Sequence, residues 1–194
     1  MKHHSLMLLA ITLPIALNSQ SKPESPKRKT MTATIETTKG AIEIEFYEKD
    51  APRTVANFVG LAEQGYFNGV IFHRISKNFV IQGGDSTGTG RGGRSIYGGD
   101  FEDELNPKAP SYQAGYVRGT LAMANRGKNT NTSQFFIILK DSPWLPKNYT
   151  IFGKVTKGMD VVDNIAAVDI IPQMGATDGK PKVDIKMNKV TVAK

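Results

Sequence analysis

The chain of 194 residues contains no cysteine. Disulfide bonds, thiolate nucleophiles and thiolate-ligated metal ions are therefore excluded. Histidine is almost as scarce, because His3 and His4 lie beside the N-terminus and only His73 occurs in the rest of the chain. A metal site built from several imidazoles is excluded by this count, and no third ligand lies near the first two histidines. We therefore expect no bound metal ion.

Long apolar runs are absent apart from one near the N-terminus, at residues 6–17. This run follows a basic start and precedes a short polar stretch, and it is too short to span a bilayer comfortably. That order is typical of a secretory signal peptide. We predict a signal peptide or an N-terminal anchor at residues 1–20, and export to the periplasm or out of the cell. If translation begins at Met31 instead, the protein is cytoplasmic.

Strong positive charge is lacking outside the N-terminal region. The formal net charge is +7, but residues 1–30 hold five basic residues and one acidic residue, so only +3 remains for residues 31–194. A domain this mildly basic has no evident phosphate-binding stripe, and we expect no nucleic-acid partner. Residues 21–30 contain two prolines and no apolar periodicity, which predicts a disordered linker. The folded domain is predicted at residues 31–194, with no membrane contact.

Glycine and proline are plentiful, with 19 and 10 residues. This composition favours many turns and short strands over long helices. Helical spacing occurs in two places: one helix starts after the capping-type residue Asp50 with Pro52 and reaches Gly65, and another spans residues 159–166. Apolar and polar residues alternate in several other segments, which favours a mainly β antiparallel barrel. The predicted strands are 32–36, 41–46, 70–75, 79–82, 116–124, 134–139, 150–155 and 183–192.

Two motifs suggest functions that their surroundings do not support. Residues 88–93 match the G-x-G-x-x-G pattern for dinucleotides, but that mechanism needs a following helix, whereas residues 94–99 continue as loop. A mobile loop beside a groove is the better interpretation. His73 resembles a catalytic base, but no G-x-S-x-G elbow presents a serine nucleophile. Strand alternation points His73 away from Arg74, which predicts a core histidine with satisfied hydrogen bonds.

Two segments place guanidinium and amide groups among large apolar side chains. In the first segment, residues 72–85, Arg74 lies beside apolar groups. Burial of a cation in such surroundings costs free energy, but the cation interacts strongly with any partner that it meets there. In the second segment, residues 119–138, amide side chains accompany aromatic ones. With the aromatic residues that follow at 144–149, these segments predict an apolar pocket rimmed by amide groups and one guanidinium. The residues that indicate the pocket are Gln82, Asn125, Gln134, Phe136, Trp144, Leu145 and Tyr149.

The motifs FHRI at 72–75, FVIQGGD at 79–85, LAMAN at 121–125 and SQFFI at 133–137 resemble those of the cyclophilins, which are peptidyl-prolyl cis-trans isomerases. The resemblance extends from about residue 32 to residue 192. It implies a closed eight-stranded antiparallel β-barrel with an α-helix capping each end, and a substrate groove on the outer surface. It also implies a monomer without a cofactor, whose partners are proline-containing peptides and unfolded or folding proteins.

The resemblance also implies a role for each matching residue. Arg74 corresponds to the catalytic residue of the family. Trp144 matches a tryptophan associated with cyclosporin, so cyclosporin binding is implied. Val80 and Tyr149 stand where the best-known eukaryotic members have methionine and histidine, which keeps an apolar wall but can change substrate and drug preference. The residues implied to bind substrate are Phe79, Val80, Gln82, Ala124, Asn125, Gln134, Phe136, Trp144, Leu145 and Tyr149.

Two other functions remain open on the sequence. The same groove could serve a proline-peptide binding or chaperone module whose isomerase activity is incidental, and the sequence does not separate the two. A small-ligand barrel of the lipocalin type is the other alternative, and it needs small residues facing its interior. The residues predicted to face inward here are large enough to fill the barrel: Ile42, Ile44, Leu121 and Ile137.

Overall fold

The computed structural model describes Met1 and residues 30–194. The predicted signal peptide or anchor at 1–20, and the predicted linker up to residue 29, therefore lie outside the described residues apart from Met1. Within residues 30–194, no helix is long and apolar enough to cross a membrane.

The described residues form ten β-strands and three helices. The helices are α1 (Pro52–Glu63), α2 (Pro110–Ala114) and α3 (Met159–Ala166). The two predicted helices are therefore confirmed as α1 and α3, whereas α2 has only five residues and was not predicted. The strands are β1 (Thr32–Thr37), β2 (Gly40–Phe46), β3 (Arg74–Ser76), β4 (Val80–Gly83), β5 (Thr120–Met123), β6 (Phe135–Ile138), β7 (Ile151–Lys157), β8 (Ile170–Pro172), β9 (Asp178–Pro181) and β10 (Met187–Ala193).

All ten strands belong to one antiparallel sheet, in the order β10-β1-β2-β7-β5-β6-β4-β3-β9-β8. The predicted closed eight-stranded barrel with two helices is therefore wrong, although the mainly β antiparallel architecture is confirmed. Strands β10 and β8 are the two ends of this strand order. The start of β10 still contacts the segment before β3: the N–H of Gly69 donates to the carbonyl oxygen of Met187, and the N–H of Met187 donates to that of Val70. An isolated bridge between Ile71 and Lys186 follows. The hairpin of β8 and β9 was missed because its short strands, rich in glycine and proline, have no apolar alternation.

The core lies on the inner face of the sheet. Ile42, Ile44, Leu121 and Ile137 are all 0% exposed, so the prediction that large side chains fill the interior is confirmed. Phe58 of α1 completes this core, with its ring centroid 4.8 Å from that of Phe67. Burial of each such side chain stabilises the fold by about 1.5–3 kcal/mol. The interior is therefore packed with side chains, unlike a barrel that encloses a ligand.

Helix α1 receives its N-terminal cap from a distant part of the chain. Pro52 is the first helical residue, as predicted, but the N-cap is Ala51, and it makes no side-chain hydrogen bond. The carboxylate of Glu104 accepts hydrogen bonds from the backbone N–H groups of Arg53 and Thr54, at 3.0 and 2.8 Å. A negative charge at this position also complements the positive end of the helix dipole. Asp50, the predicted cap, instead accepts a hydrogen bond from the N–H of Ser111.

Candidate active site

A pocket of about 290 Å³ lies on the outer face of the sheet. Its position follows from strand alternation in β4, where Ile81 points into the core and Val80 and Gln82 point outward. Strand β6 alternates in the same way, with Ile137 in the core and Phe136 in the pocket wall. The lining residues are Arg74, Phe79, Val80, Gln82, Ala124, Asn125, Phe136, Trp144, Leu145 and Tyr149.

The structure brings all of the predicted site residues together except one, since ten of the eleven line this pocket. The exception, Gln134, lies behind Gln82. Its Oε1 atom accepts a hydrogen bond of 3.0 Å from Nε2 of Gln82. Its Nε2 atom donates to the carbonyl oxygens of Gly90 and Gly92, at 3.0 and 2.8 Å. Gln134 therefore supports the pocket wall and ties it to the glycine-rich loop.

Aromatic rings form the apolar part of the pocket. The rings of Phe136 and Tyr149 meet nearly edge to face, with centroids 5.6 Å apart and an interplanar angle of 83°. The rings of Phe79 and Trp144 lie 4.8 Å apart, and Trp144 remains 65% exposed at the rim. Aromatic pairs in these arrangements stabilise a protein by more than the burial of their surface area alone would. The pocket therefore has an apolar floor of packed rings and an exposed indole at its edge.

Tyr116 holds one side of this floor in place, and no feature of the sequence singled it out. Its hydroxyl donates to the carbonyl oxygen of Tyr149 at 2.9 Å and accepts from the N–H of Tyr149 at 3.0 Å. Burial raises the pKa of Tyr116 to about 12, although its hydrogen bond to Tyr149 acts in the opposite direction. Tyr116 therefore stays protonated and able to donate at every physiological pH.

Arg74 is held on two sides by other side chains. Strands β3 and β4 place it directly opposite Gln82, and its Nη1 atom donates to Oε1 of Gln82 at 3.1 Å. Its Nε and Nη2 atoms donate to the two carboxylate oxygens of Asp178, at 2.9 and 2.6 Å. Arginine carries five N–H donors, so two have no partner among residues 30–194, one on each terminal nitrogen. Sequence reasoning missed Asp178, which lies 104 residues away in β9.

Asn125 joins two segments of the pocket rim. Its Nδ2 atom donates to the carbonyl oxygen of Asn148 at 2.9 Å, and its Oδ1 atom accepts from the N–H of Gly127 at 3.3 Å. The neighbouring residue Ala124 donates its backbone N–H to the carbonyl oxygen of Gln134. The amide side chain of Asn125 is thus partly occupied by hydrogen bonds within the protein, and it holds this part of the pocket rim in place.

The glycine-rich segment after β4 is a loop, as predicted, and Asp85 organises it. Asp85 is fully buried, and its carboxylate accepts hydrogen bonds from the backbone N–H groups of Thr87, Thr89, Gly90 and Gly92. Burial by itself raises the pKa of Asp85, but hydrogen bonds from Thr87, Gly92 and Gly90 outweigh it and lower the pKa to about 2. No helix follows the G-x-G-x-x-G motif, so its glycines belong to the loop that wraps around Asp85.

His73 does not line the pocket, in agreement with its predicted position away from Arg74. The prediction of satisfied hydrogen bonds is wrong, because neither ring nitrogen has a hydrogen-bond partner among the described residues. Burial lowers the pKa of His73; nearby Asp85 opposes this change, and Arg74 and Lys180 add to it. The imidazole is therefore neutral at physiological pH. The neutral imidazole is the form whose burial costs the least free energy where no hydrogen-bond partner is present.

Comparison with known proteins connects this geometry to a family. Residues 32–192 match the family model of the cyclophilin type peptidyl-prolyl cis-trans isomerases. A peptidyl-prolyl cis-trans isomerase-like protein of Neurospora crassa is 47% identical over 160 residues, which cover 82% of this chain and 93% of that protein. A mouse protein with a peptidylprolyl isomerase domain and WD repeats is 46% identical over 172 residues. Those residues cover 89% of this chain but only 25% of the mouse protein.

A solved structure gives the same result for the fold. The crystal structure of a Cryptosporidium parvum cyclophilin type peptidyl-prolyl cis-trans isomerase aligns with a TM-score of 0.77 at 35% sequence identity. The alignment covers 86% of this chain and 99% of the crystallised chain. The same Cryptosporidium protein has also been crystallised in the presence of the dipeptide Ala-Pro, and that structure aligns with a TM-score of 0.75.

Proposed function

Because the chain belongs to the cyclophilin type peptidyl-prolyl cis-trans isomerases, we propose that the pocket around Arg74 is the site at which it rotates X-Pro bonds. Arg74 is the catalytic residue in this proposal, and the apolar floor holds the proline ring. The observation that carries the proposal is the convergence of ten residues from separate segments on one pocket with a single guanidinium.

The reaction sets modest chemical demands on the protein. Rotation about a peptide bond is slow because amide resonance must be broken, against a barrier of about 18–20 kcal/mol. The X-Pro bond prefers trans over cis by only about 0.5–1 kcal/mol, so the enzyme need not bind one planar form much more tightly than the other. An isomerase must therefore bind the twisted amide better than either planar form. This needs no nucleophile, metal ion or cofactor.

Arg74 suits this task because of what the twisted amide becomes. When resonance is broken, the proline nitrogen recovers its lone pair and can accept a hydrogen bond. A guanidinium is charged at every physiological pH and presents its donors in a rigid fork. The two N–H groups of Arg74 without a partner in the described part of the chain can donate to this nitrogen and to a neighbouring oxygen. Donors held in position before the reaction stabilise a developing acceptor most effectively.

The rest of the pocket supplies the anchor for the rotating group. Phe136 and Leu145 enclose apolar space in which a proline ring would exclude water. Less water around the amide weakens the stabilisation of its planar, charge-separated form. Asn125 and Gln82 would hold the backbone on one side of the bond while the other side turns. Ala124 and Gln134 extend this support along the same rim.

An isomerisation assay on a short X-Pro peptide tests the activity, and the Arg74 variants described in the Discussion test the site.

We also propose that the domain acts as a monomer. Its substrates in this proposal are unfolded or folding proteins, since folding chains expose many X-Pro bonds. The alternative of a binding or chaperone module uses the same groove. Rescue of a deletion phenotype by an Arg74→Ala protein that still binds peptide would favour this alternative.

We further propose that cyclosporin inhibits the enzyme through Trp144, whose exposed indole lies at the rim of the pocket. The Trp144→Phe substitution keeps a ring against Phe79 but removes the indole N–H donor. We expect the inhibition constant for cyclosporin to rise about tenfold, the equivalent of one hydrogen bond. Turnover of a short peptide should fall less than the affinity for cyclosporin, because the phenyl ring keeps the contact with Phe79. Equal inhibition of both proteins, or no inhibition of either, would contradict this proposal.

Export of the protein is a separate proposal, and it depends on the basic, apolar and polar order of residues 1–20. We expect the mature protein isolated from its native cells to begin near residues 19–22. N-terminal sequencing of that protein measures this directly. A start at Met1 would contradict cleavage, and a protein translated from Met31 would contradict export.

A further inference from the structure

We propose that Asp178 is a positioning residue for the isomerase reaction, because it orients the guanidinium of Arg74 before substrate binds. This inference rests on the proposed role of Arg74. Asp178 lies behind Arg74 and is not among the residues that line the pocket. Its effect on the reaction would act entirely through Arg74.

The geometry of the pair is specific for orientation. Asp178 accepts from Nε and Nη2 of Arg74 with both of its oxygens, at 2.9 and 2.6 Å. Two parallel hydrogen bonds between a planar fork and a planar carboxylate fix both distance and rotation. The two side chains are only 27% and 12% exposed, so solvent screens the pair weakly. Most surface ion pairs lack this combination of geometry and burial.

The hairpin of β8 and β9 places the carboxylate of Asp178 beside Arg74. Strand β9 pairs with β3, and Asp178 lies opposite Ser76, two residues from Arg74 on the same strand face. Strand β8 pairs with the other side of β9, where Gly179 lies opposite Pro172. A side chain at Gly179 would collide with the carbonyl oxygen of Ile171, so glycine allows the hairpin to close.

The carboxylate is kept ionised, as its role requires. Burial by itself raises the pKa of Asp178, but hydrogen bonds from Arg74 and Ser76 and the charge of Arg74 lower it. Gln82 restrains the other side of the guanidinium through Nη1, and Gln134 restrains Gln82 in turn. Arg74 would otherwise sample many rotamers, because its side chain has several rotatable bonds. Asp178 and Gln82 together leave the two remaining N–H donors in a defined orientation.

The test is the Asp178→Asn variant, which retains one acceptor but replaces the other with a donor that opposes Arg74. We expect kcat/KM for a short X-Pro peptide to fall about tenfold, because small displacements of a catalytic group reduce rates strongly. The loss should lie in kcat with KM nearly unchanged, since the lost restraint matters most in the transition state. The Arg74 Nε–H resonance in NMR spectra should shift, because its charged acceptor is gone. Asp178→Glu restores a carboxylate and should recover most of kcat.

A matched control is available elsewhere in the chain. Arg118 and Asp163 form another Arg–Asp pair with an Nη2 to Oδ2 distance of 2.6 Å, outside the pocket. This pair has the same shortest N–O distance but only one hydrogen bond and greater exposure, so Asp163→Asn removes an ion pair without the proposed orienting geometry. It should leave kcat and KM unchanged. Circular dichroism and thermal unfolding of both variants show whether any loss of activity comes from unfolding.

The outcomes separate this inference from the proposed function. A folded Asp178→Asn protein with normal kcat, while Arg74→Ala is inactive, would overturn the positioning role alone. Normal activity in both variants would overturn the proposed role of Arg74 as well. A loss in kcat/KM that comes only from a smaller folded fraction, with normal kcat per folded molecule, would make Asp178 a structural residue and also overturn the inference.

Discussion

Arg74→Ala is expected to lower kcat/KM for a short X-Pro peptide by about 10²-fold or more, the range seen when one preorganised donor to a transition state is removed. The side chain supplies the one guanidinium in the lining of the pocket, so no neighbour replaces it. The loss should appear mainly in kcat, because the proline nitrogen becomes an acceptor only in the twisted state. Peptide affinity should fall much less, since the apolar floor remains. An isomerisation assay measures the first quantity and calorimetry the second.

Two further variants sharpen this test. Arg74→Lys keeps the positive charge but loses the planar fork, so it should also be impaired. Arg118→Ala removes an arginine that likewise pairs with an aspartate, but outside the pocket, and should leave turnover unchanged. Near-normal turnover by a folded Arg74→Ala protein would refute the proposed mechanism.

Asp85→Ala is expected to lower the free energy of unfolding by about 3 kcal/mol, because several backbone donors lose their shared buried acceptor. The carboxylate accepts from four backbone N–H groups between Thr87 and Gly92. The same loop presents the carbonyl oxygens that hold Gln134, and Gln134 holds Gln82 beside Arg74. We therefore expect kcat to fall as well as stability. Denaturant unfolding and the isomerisation assay measure the two effects.

The stability that depends on Asp85 should also vary with pH. The pKa of Asp85 in the folded protein is about 2, below its ordinary value of 3.8. The unfolded chain therefore binds the proton more tightly, and protonation favours unfolding. The stabilisation is complete above about pH 5, and it is lost as the pH falls through 3.8 towards 2. In the Asp85→Ala protein, this part of the acid-induced loss of stability should disappear.

Asp100→Asn is a suitable control for the Asp85 experiments. Asp100 is an exposed aspartate in the same part of the chain, paired with Arg126 at 2.9 Å. Removal of an exposed ion pair costs at most about 1 kcal/mol. If Asp85→Ala loses no more stability than this control, the buried carboxylate does not organise the loop as we describe.

Part of the pocket was predictable from strand alternation, because Arg74, Val80, Gln82 and Phe136 lie in strands. In residues 79–82, alternation assigns Val80 and Gln82 to one face and Ile81 to the other, and the structure has this arrangement. The helix from Met159 to Ala166 was predicted with the observed bounds, since its apolar spacing is regular. Periodicity is a local property, so it can be read without knowledge of distant neighbours.

Other features had no local signal. The hairpin of β8 and β9 has strands of three and four residues, too short and too rich in glycine and proline to show alternation. The missed hairpin and the edge position of β10 made the prediction of a closed eight-stranded barrel wrong. The unsatisfied ring of His73 was equally hidden, because hydrogen-bond partners are a property of surroundings, not of sequence.

The sequence by itself determined the family, the isomerase activity that goes with it, and the set of side chains that meet in the pocket. The family follows from short motifs that match those of its members, and the pocket residues were carried over from that match. Strand alternation added only the faces of neighbouring residues. Only the tertiary structure decided that Asp178 holds Arg74 and that Glu104 caps α1. Each of these contacts joins groups at least 50 residues apart. The packing of strands and loops decides which carboxylate meets which distant donor. No local sequence pattern contains that information.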